Sequence, residues 1–141
     1  MIALIVTALI FDWGRKEFVV APDLNSEATS TASTSSPIFV SYPIDNQVVT
    51  NPIYISGTVK GNWFFEGSFP VQLIDSNGAV ITTALAHTDG DWMTTDYVNF
   101  SATLEYPKAT TTERALILLK NDNPSGDPAR DQEKFIPVTL K

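Results

Sequence analysis

The sequence contains one histidine, His87. Nucleophilic catalysis by a hydroxyl needs a general base beside the nucleophile, most often an imidazole. His87 stands between Ala86 and Thr88 at the end of a predicted strand, and no Gly-x-Ser-x-Gly elbow occurs. It reads as a surface or strand-edge residue, not as a triad member. The carboxylates Glu66, Asp89, Asp91 and Asp96 flank aromatic clusters. Paired carboxylates beside aromatic platforms are the equipment of glycoside hydrolysis, but that chemistry uses a deep cleft that a small β-domain hardly provides. Asp89, Asp91 and Asp96 are also weak calcium candidates, since calcium takes six to eight oxygen ligands. Their spacing does not match an EF-hand loop, and Asp, Asn and Gly are what turns are made of. The same holds for Asp122, Asn123, Asp127 and Asp131. No catalytic residue, cofactor or metal is assigned, and the chain is read as a non-enzyme.

Aromatic display is the stronger chemical signal. Trp63, Phe64 and Phe65 are consecutive. In a strand, alternation would set Phe64 opposite Trp63 and Phe65, so one side would be exposed unless a loop folded back over it. Exposed aromatic patches mark partners. The candidate binding surface is therefore Tyr42, Tyr54, Trp63 and Phe64.

The elements that must position these groups are short strands. Ile38–Tyr42 is one candidate. Ile53, Ile55, Gly57 and Val59 alternate with Tyr54, Ser56 and Thr58 in the next. Phe69, Val71 and Leu73 share a face, and Asp75-Ser76-Asn77-Gly78 supplies a tight turn, because Asn-Gly accepts positive φ. Residues 79–86 return as the second strand of a hairpin. Phe100, Ala102, Leu104 and Tyr106 share a face of 98–106. Residues 114–120 form an apolar run expected to be a central strand. Residues 135–140 alternate again, and Pro137 restricts that strand to an edge or an outward position. About seven strands without helical periodicity predict an all-β, immunoglobulin-like antiparallel β-sandwich over residues 37–141.

Composition agrees with a folded domain that carries no obvious polymer-binding charge. Hydrophobic residues make up 43% and aromatics 11% of 141 residues, enough for a core without staples. Nine basic against sixteen acidic side chains give a net charge of −7. Nucleic-acid binding needs a cluster of cations on one face, and none is present beyond Arg15-Lys16. The absence of cysteine excludes disulfides, thiolate zinc sites and cysteine nucleophiles. Residues 1–11 are almost wholly apolar, too short to span a bilayer alone. Within a segment 1–20 they read as a truncated membrane anchor or signal, with a buried element of the domain as the alternative. Residues 21–36 form a linker whose Ser/Thr-rich stretch, 25–36, cannot offset its own ordering entropy.

Three ordered segments resemble a known family. They are Trp63-Phe64-Phe65-Glu66-Gly67-Ser68-Phe69-Pro70, then Gly90-Asp91-Trp92-Met93-Thr94 with Val98-Asn99-Phe100, then Leu119-Lys120-Asn121-Asp122-Asn123-Pro124-Ser125-Gly126. Together they are similar to the immunoglobulin-like domain of bacterial spore germination proteins, the second of the GerMN-associated domains. The resemblance covers about residues 38–140. It implies an extracytoplasmic module of bacterial envelope proteins, often beside a GerMN or peptidoglycan-binding domain, with no catalytic residues to carry over. The motif residues Trp63, Phe65, Glu66, Phe69, Pro70, Trp92, Met93, Thr94, Phe100, Asn123, Pro124, Ser125 and Gly126 are expected to be structural. Trp92 and Met93 are expected in the core, and Glu66 is expected to pair with Lys60, Lys120 or backbone N–H groups. The function that follows is a binding or assembly module. Its partner would be an envelope protein or cell-wall glycan, not nucleic acid. The N-terminal segment would hold the domain at the membrane, outside the cytoplasm, unless the chain is secreted. A purely structural spacer is the alternative, and a spacer predicts no exposed aromatic patch.

Overall fold

Alternation of apolar and polar residues dictates most of the architecture. The structure, a computed structural model, describes residues 35–107 and 113–141. Apart from Ser35 and Ser36, the apolar segment and linker expected at 1–36 lie outside the described residues. Ser36–Lys141 forms one compact unit.

Eight strands follow in chain order: β1 Ile38–Tyr42, β2 Gln47–Val49, β3 Ile53–Lys60, β4 Ser68–Asp75, β5 Val80–His87, β6 Tyr97–Leu104, β7 Glu113–Lys120 and β8 Glu133–Leu140. They form one sheet in the order β1-β3-β6-β5-β4-β7-β8-β2. The sheet is continuous only because His87 pairs with Ser101 where β5 meets β6. Around that narrow junction it curls into two facing arms, β1-β3-β6 and β5-β4-β7-β8-β2. This is how one sheet makes the expected sandwich. Phe69 of β4 meets Phe100 of β6 across the interior, ring centroids 5.2 Å apart.

The inward positions match the apolar periodicity. Ile53, Ile55 and Val59 of β3 face Phe69, Val71 and Leu73 of β4 and Ile117 and Leu119 of β7, all essentially inaccessible. Complete burial of such side chains contributes about 1.5–3 kcal/mol each. β7 is central, as expected, between β4 and β8. The β4–β5 hairpin also forms as expected. Asp75 accepts the N–H of Gly78 through its carbonyl (3.1 Å), and Gly78 has φ +85°.

One strand was not expected, and the outward alternative holds for Pro137. The extra strand, β2, has three residues and pairs in parallel with the end of β8. No alternation can be read in so short a run. β8 is consequently not an edge strand. Pro137 points outward on it, and its carbonyl accepts the N–H of Asn46 (2.6 Å). The carbonyl and nitrogen of one strand residue face the same neighbour. The missing N–H therefore falls just before the β2 ladder starts at Gln47 opposite Val138.

Candidate functional site

The segment expected to display aromatics is instead a plug. After β3, a single 3-10 turn at Gly61–Trp63 swings the chain over the end of the interior. Gly61 fits because a Cβ there would collide with the carbonyl oxygens of Trp92 and Thr94. Trp63 is 0% and Phe64 4% exposed, and both rings pack on Phe69, at 5.7 and 5.2 Å. The indole N–H of Trp63 donates to Gln132 Oε1 (2.6 Å), and its carbonyl accepts the N–H of Asp122 (3.0 Å). Trp63 and Phe64 therefore leave the candidate surface. The alternation argument failed because 63–65 is not a strand.

The other motif residues divide similarly. Phe65 and Glu66 are exposed in a tight turn, Phe65 to Ser68, with Glu66 at φ +52° and Gly67 at +77°. Glu66 has no ion pair among the described residues. Lys120 pairs instead with Asp131 (3.5 Å) and Glu133 (3.8 Å), and Lys60 lies over the Tyr97 ring. Trp92 is half-buried against the core and covers Gly67. Met93 is 77% exposed and fills no core gap. Its N–H is held by the Asp91 carboxylate (3.0 Å), a turn contact that faces the side chain to solvent. The 121–132 loop ties its own polar groups together. Asn121 reaches Arg130 O and the Gln132 N–H, and Asn123 reaches Asp127 O and Asp131 Oδ1. The Asn123 amide and the Lys120 ammonium hold the Asp131 carboxyl below the usual carboxylate range.

The candidate aspartates share a groove without clustering as metal ligands. Asp89, Asp91 and Asp96 line one groove of about 670 Å³ with His87, Asn99 and Ser101, and Glu66 is not part of it. Among the described residues, no three His, Cys, Asp or Glu side chains are close enough to hold a metal. Asp91 is engaged in its own turn, and the backbone N–H groups of Gly90 and Asp96 are capped by Thr88 and Thr94 hydroxyls.

The remaining predicted residues, Tyr42 and Tyr54, lie on the outward face of the β1-β3-β6 arm. Tyr54 is outward by simple alternation, opposite Thr103, and is 64% exposed. Tyr42 needs a second device. Ile38 and Val40 face inward, so Tyr42 would follow them inward in a regular strand. A bulge between Val40 and Tyr42 shifts the register by one and sets Tyr42 opposite outward Ser56. Two further aromatics that sequence reading did not single out join this face. Phe39 of β1 and Tyr97 of β6 meet above the central strand β3, ring centroids 5.5 Å apart. The Lys60 ammonium sits 4.0 Å from the Tyr97 centroid, a cation–π geometry. The Tyr97 hydroxyl donates to Ser36 O (2.8 Å), which fixes the ring. The available signal was position: Phe39 stands between inward Ile38 and Val40, and Tyr97 precedes inward Val98.

Between these rings the face is polar. The rows Tyr42-Ser56-Ser101, Phe39-Thr58-Asn99 and Tyr54-Thr103 run across the arm. Exposed aromatic rings thus frame a bed of hydroxyl and amide groups, with Lys60 at one end and the acidic groove alongside β6. Such a surface can stack a flat apolar face and hydrogen-bond its polar rim.

A family model described as an immunoglobulin-like domain of bacterial spore germination matches residues 37–127. Comparison with curated proteins and with solved structures returned no match. Among the described residues, no helix is long and apolar enough to cross a membrane.

Proposed function

Because the chain belongs to the immunoglobulin-like domain family of bacterial spore germination, we propose that it is a non-catalytic binding or assembly module of the bacterial envelope. It works outside the cytoplasmic membrane, held there by its apolar N-terminal segment, and binds through the outward face of β1-β3-β6. The observation that carries this reading is the exposure of Phe39 (50%), Tyr42 (41%), Tyr54 (64%) and Tyr97 (36%) on a face the core does not need. Large rings left in water by an otherwise alternating sheet favour a partner over a spacer. The lone His87, at the arm junction and exposed, lends no support to hydrolysis.

Two measurements test the reading. Protease added to intact protoplasts should digest the folded domain; protection until lysis would place it in the cytoplasm and end the envelope assignment. Full-length protein should co-sediment with an envelope fraction, and Phe39→Ser combined with Tyr54→Ser should abolish this while the fold persists. Full retention by that double variant would move binding away from this face.

A further inference from the structure

The chemistry of the β1-β3-β6 face narrows what it binds. We infer that its ligand is an N-acetylated glycan strand such as the bacterial cell wall supplies, recognised along its uncharged sugar backbone. The inference rests on the reading above that this face is the binding surface. A pyranose ring offers two chemistries at once: apolar C–H faces, and a rim of hydroxyl and amide groups. The protein face offers their complements. Rings of Phe39 and Tyr54 give apolar planes, Tyr97 being occupied by Lys60, and Ser56, Thr58, Asn99, Ser101 and Thr103 give donors and acceptors between them.

A protein partner fits less well. The centre of a protein–protein interface is dry, and aromatic anchors fill pockets there. Here Phe39 and Tyr97 meet over β3 toward one end of the patch, and beyond them runs a row of hydroxyls, Ser56, Ser101 and Thr103, with Tyr42 and Tyr54 beside it. Covering that row with apolar side chains would leave its polar groups unpaired, and each costs free energy to bury unpaired. Sugar hydroxyls, or the waters they carry, satisfy them instead.

Charge and length select among glycans. Asp89, Asp91 and Asp96 line the groove beside β6, and the whole chain carries −7. A phosphate-rich or uronate polymer would be repelled. Lys60 brings a cation to the aromatic face, where it is held over Tyr97. Its N–H groups suit a neutral carbonyl such as that of an acetamido group. From Tyr54 to Lys60 the strand runs six residues, about 20 Å at roughly 3.3 Å each. That length takes several sugar units in a row, so affinity should rise with chain length and be weak for a monosaccharide.

The experiment uses full-length protein, acid-stripped sacculi free of protein and anionic polymers, and soluble N-acetylglucosamine hexamer. Co-sedimentation with the sacculi and titration with the hexamer are read for the parent and for Tyr54→Ala, Tyr54→Phe and Phe39→Ala. Each variant's melting midpoint is followed, so that loss of binding is separated from loss of fold. The parent should bind both probes, and Tyr54→Ala and Phe39→Ala should each weaken binding roughly tenfold, the scale of one well-packed aromatic contact. Tyr54→Phe keeps the ring and should bind nearly as the parent does. Undiminished binding by both alanine variants would overturn the inference. So would failure of the parent to bind either probe. If in that case the same alanine variants still lose capture of other envelope components, the face remains the binding surface and only the glycan assignment falls.

Discussion

The two arms of the curled sheet bury the same kind of side chain inward but differ on their outward faces. On β1-β3-β6, outward positions are Ser, Thr and Asn between aromatic rings. On the other arm, Ile74, Leu116 and Pro137 form one outward row, and Gln72, Leu118 and Phe135 the next. Phe135 is 47% exposed, whereas its row neighbour Leu118 is 9% exposed. The difference teaches that folding constrains one side of each strand only. The inward side must be apolar to join the arms, as any two-layer domain requires. The outward side is free to record something else, and the two arms record different things.

The largest test of this division is Trp63→Ala. Trp63 closes the shared interior from above, so its loss should cost about 3–5 kcal/mol. Against a total stability of about 5–15 kcal/mol, thermal unfolding should shift far down or vanish. Trp92→Ala removes a half-buried ring and should cost less, about 1–3 kcal/mol. Melting curves with the reverse order would show that Trp92, not Trp63, is the plug.

Gly57→Ala comes next. A Cβ at Gly57 would collide with Phe39 O and lie 2.9 Å from Phe100. Either β1 or the interior must give way, at about 1–3 kcal/mol. An unchanged denaturation midpoint would mean that β1 is not held closely against β3. Gly78→Val meets no atom within 4 Å, so only its backbone at φ +85° resists. About 1–2 kcal/mol is expected from chemical denaturation, the cost of a left-handed β-branched residue; no cost would show that the turn is misassigned.

Outward substitutions sharpen the comparison. Tyr54→Ser and Leu116→Ser should each stay within about 0.5 kcal/mol of the parent. Only Tyr54→Ser should weaken envelope binding; equal effects of both would erase the functional distinction between the arms. The smallest effect is electrostatic. Asp131 has a lowered carboxyl in the folded state, held mainly by the Asn123 amide and then by Lys120. That contribution is present above the unfolded carboxylate pKa and is lost as pH falls through the lower folded value. Acidification across this range should lower the melting midpoint slightly less in Asp131→Asn than in the parent. Identical acid profiles would show that the loop contact has no bearing on stability.

Sequence legibility follows the same line between sides of a strand. β3, β6 and the β4–β5 hairpin were readable because burial of one face forces period-two alternation, and Asn-Gly marks its own turn. Tyr54 was readable as an outward residue for that reason. β2 was not, because three residues carry no period. Trp63 and Phe64 misled because three adjacent aromatics look like display when the chain is assumed extended, and a 3-10 turn is not extended.

Residue order alone therefore determined the all-β class, the inward faces and the resemblance carried by the aromatic and Asn-Pro-Ser-Gly motifs, since these depend on local alternation and turn chemistry. Tertiary structure decided what depends on contacts between distant segments. It joined the arms through His87 and Ser101, drew Trp63 under Gln132, and brought Phe39 of β1 to Tyr97 of β6 across an intervening strand. It also turned Tyr42 outward through a one-residue bulge. Strand alternation is a property of neighbours in the chain. Which outward residues share one face is a property of register between strands, and register is set only when the sheet assembles.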